Sequence, residues 1–149
     1  MDRQDGEDGM NLQKRMHDSP YHRWLGVELV RADSGDVEVR MPFREEFLAS
    51  DDRLNVHGGI ISTLADLTTC FAMMSSTGKD APNMNLQVDY LRMVGPDTDL
   101  IAHGKAVKTG RTVGVADVEI RTTEGRLVAV GRSTLVNSAP QRQTLTGKG

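Results

Sequence analysis

The sequence predicts an α+β fold, an antiparallel sheet curled around one long buried helix. Three observations carry that expectation. Residues 58–74 contain no Lys or Arg, and Asp66 is their only acid, so a helix there has almost no charged face. Two runs with period-two alternation precede this segment and four strand-like runs follow it. Helices do not alternate with strands one for one, which argues against a doubly wound parallel sheet.

The elements follow in order. The first ten residues and residues 138–149 lack apolar periodicity and are rich in Gly, Gln and charge, so both are expected to be disordered tails around a single domain at 11–137. Leu12, Met16 and Trp24 give a weak helical signal that Pro20 breaks. Val27 and Leu29, then Val37, Val39 and Met41, alternate with polar residues, and Ser34-Gly35 between them predicts a hairpin. Residues 43–56 read as an irregular, charged connection. On the central helix Ile61, Leu64, Ala65, Thr68, Phe71 and Ala72 form an apolar stripe. The remaining positions are mostly small or apolar, so burial nearly all round is expected. Gly78 is placed to stop it. Met84, Leu86, Val88 and Tyr90 alternate with Asn83, Asn85, Gln87 and Asp89, and Gly95-Pro96 ends that run. Strands are predicted at 100–109, 112–123 and 126–136, with Thr109-Gly110 and Glu124-Gly125 at tight connections.

Composition narrows the function classes. A chain of 149 residues is sized for one domain. Its net charge of -3, with no run of Lys or Arg, gives no electrostatic footprint for nucleic acid. Any anionic ligand must be held by a local basic cluster. The single Cys70 excludes an internal disulfide framework and a multi-cysteine zinc site. His17, His22 and His103 lack metal-ligand spacing, so no metal is expected, and surface or packing roles suit them better. Ser62 has no nucleophile-elbow context. The polar, acidic start is the reverse of a signal peptide, and the longest apolar stretch is too short to span a bilayer. A soluble, cytoplasmic protein without membrane or nucleic-acid partners is the expectation.

Asp66 is the first candidate for chemistry. A carboxylate on a buried helix must be solvated, paired or used, because burying it alone is expensive. Solvation on the less apolar side, near Ser62, Thr69 and Met73, and pairing with a strand Arg are together about as probable as catalysis. His57-Gly58-Gly59 shifts the balance. Two glycines are poor helix formers unless a ligand must approach the backbone closely, and amides at a helix start are preorganised for an oxyanion.

His57-Gly58-Gly59 followed by Leu64-Ala65-Asp66, after two strands and before four, resembles the hotdog-fold thioesterases. The resemblance is to the branch with the phenylacetic-acid-pathway and 4-hydroxybenzoyl-CoA thioesterases. It runs from Trp24 to Val136 and includes Val107-Lys108-Thr109-Gly110-Arg111 and Gly125-Arg126-Leu127-Val128-Ala129. It implies about six strands wrapped around the helix and a coenzyme A thioester as substrate, with no separate cofactor. It further implies Asp66 as general base or nucleophile, the Gly58 amide on the thioester carbonyl with Gly59 close by, and His57 supporting the turn. Where the family carries an Asn ahead of the His, this chain offers Asn55 or Asp51. Where the family has an alcohol-bearing residue at the start of the third strand, Asn83 stands.

One consequence follows from helix geometry alone. Gly58 and Asp66 lie about 12 Å apart along one helix, whereas a reacting carbonyl needs both within roughly 3–4 Å. If both act in one reaction they come from different subunits, so a homodimer with shared sites is expected, and the family's habit implies a dimer of dimers. Lys108 and Arg111 flank the Gly110 turn and are candidates for the coenzyme phosphates. Two rivals stay open: a hydratase or dehydratase of acyl thioesters, and a non-catalytic acyl-CoA binding module. Aryl, medium-chain and branched acyl groups are all compatible with the sequence.

Overall fold

The computed structural model describes residues 10–137. The tails expected at 1–10 and 138–149 therefore lie outside the described residues, except Met10, which is half-buried and packs against the core.

Two short helices open the fold, α1 (Leu12–Asp18) and α2 (Pro20–Leu25). The Asn11 side chain accepts from the Lys14 amide, and Ser19 caps α2 by accepting from His22. The helical signal breaks at Ser19-Pro20, as expected, and Pro20 itself begins the second helix. Its fixed φ and missing N–H suit the first helical position. β1 (Glu28–Asp33) and β2 (Asp36–Met41) form the expected hairpin, with Ser34 and Gly35 at φ 43° and 94°. The charged connection contains one 3-10 turn at Glu45–Phe47. Then come α3 (Gly58–Thr77), β3 (Asn83–Tyr90), β4 (Leu100–Thr109), β5 (Val113–Thr122) and β6 (Leu127–Val136).

The strands make one antiparallel sheet in the order β1-β2-β4-β5-β6-β3. The chain leaves β2, crosses the sheet as α3, and returns as β3 on the far edge. This is the α+β architecture that the sequence predicts. Ile61, Leu64, Ala65, Thr68, Phe71 and Ala72 are all buried, so the apolar stripe of α3 is the one that faces the sheet. Backbone contact is close there: a Cβ on Gly104 would lie 2.8 Å from Thr68 Cγ2 and 2.9 Å from the Thr68 carbonyl. Only glycine lets β4 approach the helix so nearly.

Two expectations change. α3 is not buried all round, because the sheet covers one side only. Gly59 and Asp66 are exposed, and Ser62, Thr63 and Cys70 are half-buried, while Thr69 and Met73, expected beside Asp66 on the less apolar side, are buried. On β3 the alternating apolar face is covered only at its middle, where Leu86 and Val88 are half-buried against the core. Met84 and Tyr90 are 62% and 53% exposed, because β3 is an edge strand paired only with β6.

Candidate active site

The start of α3 is built around one imidazole. His57 is the N-cap, and its Nδ1 accepts from the Gly59 amide at 2.8 Å. A Cβ on Gly59 would fall 2.9 Å from that nitrogen, so glycine is what allows the ring to close over the turn. The His57 carbonyl takes the Ile60 and Ile61 amides. That leaves the Gly58 amide with no acceptor among the described residues. It points from the first position of a 20-residue helix, where the peptide dipoles favour negative charge.

Gly58 also lines a pocket of about 250 Å³ with Asn55, Ile61, Tyr90, Met93 and Val94. Asn55 is half-buried there, and its side chain donates to the Val56 carbonyl at 3.4 Å. The Tyr90 hydroxyl donates to the Gly58 carbonyl at 3.1 Å and also meets Ser62 Oγ.

Asp66 lies two turns further along α3 on the strip the sheet leaves open. Although exposed, its carboxyl is pushed above the ordinary carboxylate range by the desolvating protein around it, with the charge of His22 opposing. The N-terminal helices bring that His22 close. On α2, Tyr21 donates to Thr63 Oγ1 at 3.0 Å, since the Thr63 hydroxyl itself donates to the Gly59 carbonyl. His22 hydrogen-bonds the Met16 carbonyl at 3.1 Å and tilts against Phe71. Burial holds its imidazole below the usual histidine range, despite the Met16 carbonyl and the Asp66 charge. A cleft of about 450 Å³ continues from there, lined by Arg15, His22, Cys70, Phe71 and Met74. Cys70 donates to the Ala81 carbonyl, and burial pushes its thiol up to about 12, so it is no nucleophile at neutral pH.

Asn83 braces the turn of helix that carries Asp66. Its amide nitrogen donates to Ser133 Oγ at 2.6 Å and to Thr69 Oγ1 at 3.2 Å, and the Thr69 hydroxyl reaches the carbonyls of Ala65 and Asp66. Lys108 and Arg111 are not gathered with the others in a single chain. They sit exposed at the β4–β5 turn, and Thr109 Oγ1 there meets Ser76 Oγ at the far end of α3. Gly58 and Ser76 are eighteen residues apart on that helix, or about 27 Å.

The family follows from sequence comparison. Residues 55–129, which include the His57 turn and Asp66, match the model of the thioesterase superfamily. A putative esterase of Halobacterium salinarum is 33% identical over 134 residues, covering 83% of this chain and 87% of that protein. The chain belongs to the thioesterase superfamily. Its fold is the hotdog fold, and it falls in the PaaI-like branch. The Escherichia coli PaaI protein of the phenylacetic acid degradation operon superposes with a TM-score of 0.78 at 25% identity, covering 85% of this chain and 89% of that one. A hypothetical thioesterase from Streptococcus pneumoniae, solved with coenzyme A, gives 0.69 at 29% identity, over 74% of this chain and 84% of that one.

Three side chains of the candidate site carry no signal in the sequence. By sequence Tyr90 is only the last apolar member of an alternating strand, His22 is one of three histidines without metal-ligand spacing, and Tyr21 has no motif around it. All three reach α3 through tertiary packing over 28 to 44 residues of chain, for which a lone sequence carries no signal. Among the described residues, no helix is long and apolar enough to cross a membrane. Among the described residues, no group of three or more His, Cys, Asp or Glu is placed to hold a metal ion.

Proposed function

We propose that this chain is an acyl-CoA thioesterase, hydrolysing a coenzyme A thioester to the free acid and coenzyme A. The observation that carries the reading is the pairing of motifs on α3. Its one acid, Asp66, is open to solvent with a raised pKa, and its first amide, at Gly58, has no acceptor among the described residues. The curated relative named acyl-coenzyme A thioesterase PaaI, from Escherichia coli, is 29% identical over 108 residues and supports the choice of substrate.

In the water route, Asp66 takes a proton from water as the oxygen bonds to the thioester carbon. The carbonyl oxygen becomes an anion that accepts from the Gly58 N–H. Collapse breaks the carbon–sulfur bond, and the proton on Asp66 passes to the departing thiolate. In the alternative route the carboxylate itself attacks the thioester carbon and breaks the carbon–sulfur bond, expelling the thiolate. Water then cleaves the resulting anhydride, restoring the carboxylate, and its proton passes to the thiolate. Both routes need Asp66 ionised and Gly58 within hydrogen-bond reach of the same oxygen. The separation along α3 therefore supports a dimer in which one protomer supplies Gly58 and its partner supplies Asp66. The β3 edge, with Met84 and Tyr90 exposed on a strand whose outer side has no neighbour among the described residues, is suited to a second copy. A dimer of dimers rests on family resemblance alone. Lys108 and Arg111 are assigned to the coenzyme phosphates, and Asn83 to steadying the turn beneath Asp66.

The test is thiol release from a panel of aryl, medium-chain and branched acyl-CoAs, run beside an enoyl-CoA hydration assay. Turnover of at least one acyl-CoA without hydration is the expected result. Hydration without thiol release, or binding without either, would overturn the hydrolase reading.

A further inference from the structure

Gly58 is an unlikely choice for a precise donor, because a residue without a Cβ has the widest backbone freedom of all. The structure offers a device that removes this freedom. The peptide joining Gly58 to Gly59 is held at both ends. Its N–H, from Gly59, donates to His57 Nδ1 at 2.8 Å, and its carbonyl, from Gly58, accepts from the Tyr90 hydroxyl at 3.1 Å. The Tyr90 ring also packs on Gly58, with its edge atoms 3.4 Å from where a Cβ would stand. Ser62, one turn into α3, then orients the phenol: the single Tyr90 proton is spent on Gly58, so the Ser62 hydroxyl is the donor between those two oxygens.

We propose that Tyr90 is a positioning residue for the reaction, clamping the Gly58–Gly59 peptide together with His57 so that the adjoining Gly58 N–H is aimed at the developing oxyanion. The inference rests on the hydrolase reading above. The His57 carbonyl, held by the Ile60 and Ile61 amides, fixes the peptide on the other side of the Gly58 Cα, so with both flanking peptides held the Gly58 N–H keeps one direction. Such a donor stabilises charge without reorganising during the reaction, which is where oxyanion stabilisation gets its strength. The phenol makes no contact with substrate in this role. Its loss should slow the chemical step and leave ground-state binding alone.

Tyr90→Phe retains the ring packing and removes only the hydroxyl. The expected result is a fall in kcat of about 10-fold, with KM and the Kd for the product coenzyme A changed by less than about twofold. Ser62→Ala, which leaves Tyr90 in place but unoriented, should show the same pattern with a smaller loss, about threefold. A double-mutant cycle supplies the readout that a merely structural role would not move. Tyr90→Phe and His57→Ala hold two ends of one peptide, so their effects on kcat should be strongly non-additive. Melting temperature and oligomer size, measured alongside, should match wild type for Tyr90→Phe. Unchanged kcat in Tyr90→Phe, or losses that simply multiply in the double variant, would overturn the clamp while leaving the hydrolase reading intact. A wild-type protein that releases no thiol from any acyl-CoA would instead sink the hydrolase reading and the clamp with it.

Discussion

If each site is shared between subunits, two dead variants should revive each other. The perturbations are Asp66→Ala, which removes the carboxylate, and Gly58→Pro, which removes the donating amide. The second change is well tolerated on structural grounds. Gly58 is the first residue of α3, where proline is favoured. His57 before it already has φ -59° and ψ 133°, the extended conformation that a residue preceding proline requires. A Cβ at Gly58 meets the Tyr90 ring at 3.4 Å, ordinary contact. The separation of the two groups is eight residues of one helix, or about 12 Å, three times the reach of a single reacting carbonyl. Random mixing makes half of the dimers heterodimers. Each of these contains one site with an intact Gly58 and an intact Asp66 from opposite chains. About a quarter of wild-type activity should therefore return if sites act independently. The assay is thiol release from an acyl-CoA after co-refolding equal amounts of the two variants, with subunit exchange confirmed by mass. A fully exchanged mixture as inactive as either parent would refute the shared site, even if Asp66 itself were essential.

Asp66→Ala and Asp66→Asn should each reduce kcat by ~10²–10⁴-fold with the fold retained, and near-normal turnover by either would remove Asp66 from the mechanism. Because burial raises the Asp66 pKa above its unfolded value of 3.8, the acid limb of the kcat/KM profile should lie above the ordinary carboxylate range. A limb at or below pH 3.8 would contradict the assignment. The same shift has a stability consequence: the folded state holds the proton more tightly, so stability falls as pH rises from the unfolded pKa through the folded one. Asp66→Asn should accordingly melt higher than wild type at neutral pH, with the gap closing below the unfolded pKa; a lower-melting variant at neutral pH would point to a favourable partner for the charge. Arg111→Glu should raise KM for coenzyme A thioesters more than for truncated pantetheine thioesters, whereas equal effects would mean the turn plays no part in nucleotide binding. Thr68 Oγ1 is buried without a partner among the described residues, so Thr68→Val should add about 1 kcal/mol, seen as a rise of about 3 °C in melting temperature. A fall would show that the hydroxyl is satisfied.

Much of the fold was legible because its signals are local. An apolar stripe on a helix without basic residues, period-two runs, and Gly at Gly35, Gly78 and Gly125, where φ is 94°, 71° and 92°, each report a constraint that acts within a few residues of chain. The same holds for the first half of the candidate site. His57, Gly58 and Gly59 are consecutive, so the cap that uses the Gly59 amide and leaves the Gly58 amide free is written in one tripeptide. Pro20 shows the limit of such signals, since a proline both ends and begins helices, and only the Ser19 cap decided which.

The sequence alone determined the architecture, the family and the pairing of an acid with a glycine turn on one helix, because each depends on residue type and spacing along the chain. Tertiary structure decided which side of that helix stays open. Strand order places β3 at a sheet edge, and the sheet covers α3 from one side only, so Asp66 faces outward although its neighbours in sequence are apolar. The packing of α2 on α3 set His22 near Asp66, and the end of β3 set Tyr90 over Gly58. Contacts of this kind join residues far apart in the chain, and their strength comes from burial and hydrogen-bond geometry that exist only once the sheet has packed against the helix.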